Sequence, residues 1–168
     1  MTVRQFEAAT VRIEPATPAD VPLILALVKE LAEYERSADK VVADEESLRE
    51  SMFGARSVAE GRIAYVGDEP AGMALFFHNF STWTGLRGLY LEDLYVRPGM
   101  RGRGVGRRLL AHLAGLARER DCARFEWAVL NWNEPAIGFY RRLGAVPMDE
   151  WQIYRLTGDA LGRLADEA

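Results

Sequence analysis

The sequence predicts one α/β domain of about residues 10–157, built on a mixed central β-sheet with helices on both faces. Three observations predict it. An apolar run at 89–96 is followed by a glycine turn and then by a helical stripe of Leu109, Leu113 and Leu116, so strand, turn and helix succeed one another. Two further runs, Ile63–Val66 and Ala71–Phe80, flank the turn Gly67-Asp68-Glu69-Pro70 and read as an antiparallel hairpin. Leu23, Ile24, Leu27, Val28 and Leu31 recur at helical spacing, and that stripe needs a sheet to cover.

In chain order, Val11–Glu14 alternates apolar and charged residues and reads as a first strand. Thr17-Pro18-Ala19-Asp20 is a helix start, with Thr17 or Asp20 as the cap. The first helix ends near Glu33-Tyr34-Glu35-Arg36. Asp44 caps a second helix that carries Leu48, Met52 and Phe53, and Gly54 closes it. The hairpin follows, then a loop at Ser81-Thr82-Trp83-Thr84-Gly85, then the strand at 89–96 and its helix. Arg124–Leu130 reads as a strand parallel to 89–96, because a helix joins them, and this parallel pair is expected at the middle of the sheet. Pro135 opens a helix over Ala136–Leu143 that Gly144 stops. Trp151–Leu156 reads as a last strand, and Asp159 starts a short helix that ends about Ala165.

The 168 residues, 49% hydrophobic and 27% charged, suit one globular domain with a proper core. The net charge of −4 argues against nucleic acid as a main partner. No apolar run approaches membrane length, and the N-terminal 15 residues lack the apolar core of a secretion signal, so a cytoplasmic protein is expected. Cys122 is the single cysteine, which excludes a disulfide framework or a thiolate metal cluster. His78 and His112 lack ligand spacing, and no metal is expected.

The chemistry concentrates between strand and helix. Arg97, Arg101, Arg103, Arg107 and Arg108 crowd a segment free of acids in a chain that is acidic as a whole. Gly102, Gly104 and Gly106 place glycines at a helix N-terminus, where backbone N–H groups lack partners and the helix dipole favours an anion. The alternative is a glycine turn with solvated arginines. A P-loop is excluded, because no Gly-Lys-Ser/Thr follows, and a dinucleotide fingerprint fails at Arg107.

What remains is Arg-x-x-Gly-x-Gly at Arg101, Gly104 and Gly106. It resembles the acetyl-CoA pyrophosphate loop of the GNAT (Gcn5-related N-acetyltransferase) superfamily. Lys29–Glu35, Tyr90–Val96 and Trp132-Asn133-Glu134-Pro135 through Phe139-Tyr140 to Ala145 are similar to its diamine and thialysine acetyltransferase branch. The resemblance implies a single-domain GNAT fold, acetyl-CoA as co-substrate and a small cationic amine as acceptor, attacked directly in a ternary complex. It implies that Leu94, Tyr95 and Val96 meet the pantetheine arm, and that Arg101, Gly102, Arg103, Gly104, Val105, Gly106 and Arg107 hold the pyrophosphate. Asn133, Glu134, Pro135 and Ala136 would touch the far side of CoA. Tyr140 would be the acid at the CoA sulfur and Glu92 the base, with Glu33, Tyr34, Asp93, Glu126 and Glu150 lining the amine site. A homodimer is expected from the same source. Two departures leave the amine open: Ser81-Thr82 precedes Trp83 where polyamine enzymes carry an acid, and the 54–61 segment is short. The alternatives are a peptide or protein acetyltransferase, an aminoglycoside acetyltransferase, or a CoA-binding sensor without turnover.

These residue types fit amine acetylation. An alkyl amine with a pKa of about 10.4 is almost wholly protonated at pH 7, a deficit of about 4.6 kcal/mol for the neutral nucleophile. A carboxylate can take that proton, and a backbone N–H near Leu94 can stabilise negative charge on the acetyl oxygen. Structural alternatives stand beside each role: core packing for Tyr140, a salt bridge for Glu92 and solvated surface for Glu33 and Glu35. In a regular strand Leu91, Asp93 and Tyr95 share one face and Glu92 and Leu94 the other, so Glu92 and Asp93 act together only if a bulge intervenes.

Overall fold

A computed structural model describes residues 10–168. Residues 1–9 of the stretch read for a secretion signal lie outside it. The chain divides into two compact units, Met1–Ala128 and Val129–Ala168.

The first unit holds five strands in the order β1 (Val11–Pro15), β2 (Glu60–Val66), β3 (Glu69–Ser81), β4 (Leu86–Val96) and β5 (Phe125–Trp127). The first four are antiparallel, and β5 runs parallel to β4. The expected hairpin is therefore β2–β3, and Gly67 makes its turn with φ +61°. The parallel pair corrects one expectation. It exists, but at the end of the described sheet rather than its middle, because β5 has β4 alone as a neighbour. The expected strand at 124–130 is paired only over Phe125–Trp127.

Helix α1 (Val21–Tyr34) and helix α2 (Glu45–Phe53) cover one face. The Asp20 carboxylate accepts both the backbone N–H and the hydroxyl of Thr17 at 2.7 Å, which fixes the chain's entry into α1. Asp44 caps α2 by accepting the Ser47 N–H at 2.8 Å. Ile24, Leu27 and Leu31 pack with Met52, Ile63, Met73, Leu75 and Tyr95 in one buried cluster. Gly54 ends α2 with φ −74°, so it caps the helix without the left-handed turn its position suggested.

Helix α3 (Val105–Glu119) covers the other face. Leu109 and Leu113 are fully buried, as expected, whereas Leu116 is only half-buried. Arg62, next to Ile63 on β2 and so on the opposite face, donates from Nε to His112 Nε2 on α3 at 3.1 Å. Arg120 pairs with Glu60 and approaches His78 Nε2 at 3.4 Å. Both histidines are thus partners of arginines, and burial lowers the pKa of each.

The second unit holds α4 (Glu134–Arg142) and α5 (Gly158–Ala165). Gly144, at φ +88°, supplies the left-handed residue that stops α4. The strand expected at Trp151–Leu156 does not form. No ladder pairs with this segment among the described residues, and Ile153 and Tyr154 are 80% and 90% exposed. Apolar composition without a pairing partner does not make a strand.

Candidate active site

A bulge in β4 organises the site. Leu75 of β3 lies opposite Asp93, whereas Phe76 lies opposite Leu91, so Glu92 is an extra residue in the ladder. The insertion changes the phase of the strand. Leu91 shares a face with Phe76 and α3, while Asp93 and Tyr95 share the face of Leu75 and α1. The regular-strand expectation that Leu91, Asp93 and Tyr95 lie together is thereby corrected.

The backbone changes phase with the side chains. Before the bulge, Leu89 N–H donates to Arg124 C=O at 3.0 Å and Arg87 C=O accepts from Ala123, so odd-numbered residues face β5. After it, Arg97 N–H donates to Ala71 C=O at 2.9 Å on the β3 side. By alternation Asp93 and Tyr95 also turn their peptide groups to β3, and Leu94 and Val96 turn theirs away. Pairing with β5 has already ended at Leu91–Trp127, so no strand covers that edge among the described residues. The Val96 carbonyl is met there by Arg101 Nε at 2.9 Å.

Arg101 is held in place twice more, over the rings of Tyr34 at 4.9 Å and Tyr95 at 6.0 Å. Arg97 is anchored by Glu30 at 2.8 Å and by the Pro70 carbonyl. These two arginines therefore brace the loop, while Arg103 and Arg107 are exposed. Gly102 and Gly104 have φ +75° and +77°, a conformation that costs a side-chain-bearing residue about 1–2 kcal/mol. Gly104 is also the N-cap of α3 and has no side chain to offer the first turn. The N–H groups of Val105, Gly106 and Arg107 thus form an uncapped, positively polarised end beside exposed arginines.

The acids gather on the other side of the bulge. Asp93 is pushed up to about 6, first by burial and then by the charges of Glu92 and Glu35. Glu35, half-buried just past the end of α1, is itself raised by burial. Glu92 is exposed. Three carboxylates from α1's end and the bulge therefore share one electrostatic neighbourhood. For Glu35 the sequence leaves a substrate role and solvated surface both open, and its half-burial beside Asp93 favours the first. It closes the Lys29–Glu35 stretch, just past which the Ser37 N–H bonds back to the Ala32 carbonyl at 2.8 Å. Glu33 is exposed, with its carbonyl bound by Arg36 N–H, and it is not among the groups that shift Asp93. Glu126 lies on β5 opposite Tyr90, paired with Arg124 at 2.8 Å.

The remaining expected residues belong to the second unit. Asn133 is buried, and its side chain accepts the Ala136 N–H at 3.4 Å, which caps α4. Glu134, Pro135 and Ala136 form the first turn of that helix. Tyr140 is half-buried, its ring 5.5 Å from that of Phe139. Glu150 is exposed in a turn. Among the described residues no group of His, Cys, Asp and Glu could hold a metal ion, and no helix is long and apolar enough to cross a membrane.

Comparison with known proteins fits this geometry. The acetyltransferase (GNAT) family matches residues 25–145, a span that runs across both units. A thialysine N-epsilon-acetyltransferase of Caenorhabditis elegans is 39% identical, with 98% of this chain and all of that protein covered. An L-ornithine N5-acetyltransferase of Arabidopsis thaliana is 30% identical over 89% of this chain and 86% of its own. Among solved structures, an integron cassette protein from the mobile metagenome of V. cholerae superposes with a TM-score of 0.78 at 29% identity, covering 92% of this chain and 97% of that one. With the family matched over most of its length, and with a bulged β4 and a glycine-led α3 in place, the chain belongs to the GNAT acetyltransferase family and is an acetyl-CoA-dependent N-acetyltransferase.

Proposed function

We propose that the protein transfers an acetyl group to a primary amine of a small cationic substrate, by direct attack in a ternary complex. The observation that carries this reading is the Glu92 bulge. One inserted residue gathers Glu92 and Asp93 beside Glu35 and turns the Leu94 and Val96 peptide groups to an uncovered edge next to α3's N-terminus.

The residues present suit acetyl-CoA. The uncapped amides of Val105, Gly106 and Arg107, with Arg103, suit a pyrophosphate, and the uncovered edge at Leu94 and Val96 suits an amide-bearing arm that pairs like a strand. Bound there, acetyl-CoA supplies an activated thioester as the electrophile. The protein's own part is electrostatic and acid–base. Asp93 and Glu35 attract the ammonium substrate, and Glu92, exposed to water, takes its proton through a water molecule. The Leu94 N–H donates to the acetyl oxygen as negative charge grows on it. Tyr140, by resemblance, returns a proton to the departing sulfur.

The relatives named for thialysine and L-ornithine support an amine that sits on an amino acid. The test is CoA thiol release by the purified protein with acetyl-CoA and a panel of lysine, thialysine, ornithine, putrescine, spermidine, an aminoglycoside and a short peptide. Release with one or more small amines supports the reading. Release with the peptide alone, or with none of them despite acetyl-CoA binding, refutes it.

A further inference from the structure

The face that carries Asp93 continues along the sheet beyond the cluster covered by α1. Its floor is aromatic: Phe77 and Tyr90 are half-buried, with ring centroids 5.1 Å apart. Glu126, opposite Tyr90, marks the far end. Its carboxylate takes Arg124 Nε at 2.8 Å and Asn79 Nδ2 at 3.0 Å. Tyr90 is raised by burial and then by Glu92 and Glu126, so it lies between the acidic cluster and this ion pair.

The ion pair is seated on the sheet. Asn79 Oδ1 is buried without a hydrogen-bond partner. A Cβ at Gly88 would collide with that oxygen and come within 3.0 Å of the Arg124 side chain, so glycine is what lets both lie flat. The pair still reaches solvent, with 39% of the Arg124 side chain and 34% of the Glu126 side chain exposed.

We infer that this strip reads the head group of an ω-amino acid, with Arg124 taking the α-carboxylate and Glu126 the α-ammonium while the reacting amine lies at Glu92, Asp93 and Glu35. The inference rests on the amine-acetyltransferase reading and deepens it to the residues that select the head group. The length fits. Tyr90 and Asp93 lie opposite Phe77 and Leu75, two positions apart on β3, so about 7 Å of sheet separates them, and Glu126 lies one strand spacing of about 5 Å to the side. A four- or five-atom chain with a hydrogen bond at each end spans that diagonal, over the aromatic floor.

The charge logic separates amino acids from diamines. A zwitterionic head group offers each member of the pair an opposite charge, so Arg124 and Glu126 exchange partners without either being left bare. A diamine brings a second ammonium with no anion for Arg124, which repels it. Spacing alone would accept both. Arg124 therefore makes the choice.

The experiment compares kcat/KM for lysine, cadaverine and lysine methyl ester, in the wild type and in Arg124→Ala and Arg124→Lys. Lysine is expected to exceed cadaverine and the ester by about 10- to 100-fold, the worth of one charged hydrogen-bonded pair. Arg124→Ala is expected to collapse that ratio through the KM of lysine, and Arg124→Lys to restore part of it. Equal use of lysine and its ester by the wild type overturns the inference without any variant. So does an undiminished ratio in an Arg124→Ala protein that melts and binds acetyl-CoA as the wild type does. Turnover of diamines alone sinks this inference and leaves the amine acetyltransferase standing. Turnover of no amine sinks both.

Discussion

Asp93 makes the stability of the fold depend on pH in an unusual direction. Its carboxyl is raised to about 6 by burial and by Glu92 and Glu35, whereas an unfolded aspartate titrates near 3.9. The folded state thus holds this proton more tightly than the unfolded chain. Below about pH 4 both states are protonated and nothing is lost. As pH rises toward 6 the unfolded chain ionises first, so stability falls, and above 6 the loss is constant. A difference of about two pH units corresponds to about 3 kcal/mol, an upper figure because water entering the site would screen the charge. Asp93→Asn removes the ionisation with little change in shape. It is expected to be more stable than the wild type by up to about 3 kcal/mol at pH 7.5, and no more stable at pH 4. Urea unfolding of both proteins at pH 4, 5, 6 and 7.5 reads this directly, since groups such as Glu60 titrate alike in both and cancel. The same variant is expected to lose amine turnover, because the charge that destabilises the fold attracts the substrate. A stability difference that stays flat across this range, or an Asp93→Asn protein weaker than the wild type at pH 7.5, refutes the argument.

Three further outcomes test neighbouring parts of the site. Tyr140→Phe is expected to lower kcat by about 10²-fold or more while leaving acetyl-CoA affinity, measured by calorimetry, unchanged. Gly104→Ala, forced to hold φ near +77°, is expected to lose about 1–2 kcal/mol in urea unfolding and to weaken acetyl-CoA binding, because the amide end of α3 must shift. Excision of Glu92 joins Leu91 directly to Asp93, whose partners Phe76 and Leu75 are already adjacent on β3, so Asp93, Leu94 and Tyr95 keep their faces in a regular ladder. That protein is expected to lose turnover with Glu92 yet to melt close to Glu92→Gln; melting far below Glu92→Gln would refute the reading of Glu92 as the extra residue of the ladder.

Most of the first unit was legible in the sequence because each element states its own period. The α1 and α3 stripes, the Asp44 cap and a hairpin turn at Gly67 follow from local spacing and stand in the structure, although the turn is Gly67-Asp68 alone because Glu69 and Pro70 pair in β3. Two failures have one cause. Strands are defined by partners as well as by composition, so Arg124–Leu130 shrank to three paired residues and Trp151–Leu156 to none. The site was legible in its parts but not in its assembly. The glycine loop carries its meaning in residue type. Glu35 and Arg124 carry theirs only in what they stand beside, Glu35 by Asp93 and Arg124 by Glu126.

The bulge explains why the sequence stops short there. Glu92 and Asp93 read as a pair split across a sheet, one acid to each face, which would leave neither placed to help the other. Leaving Glu92 out of the ladder, in place of pairing it, costs a ladder hydrogen bond, and the loss falls where β5 has ended and no second strand depends on the register. In return Asp93 and Tyr95 swing to α1's face, with Tyr95 entering the core and Asp93 ending beside Glu35. The same half-turn aims the peptide groups of Leu94 and Val96 at the opposite edge, where Arg101 meets the Val96 carbonyl and no strand pairs with either among the described residues. An acid cluster and an uncovered backbone edge are thus two consequences of one register shift, so neither can be adjusted without moving the other. A substitution that preserves every charge yet restores the regular ladder should therefore disable both at once, whereas removal of a single carboxylate should disable only the acid–base half.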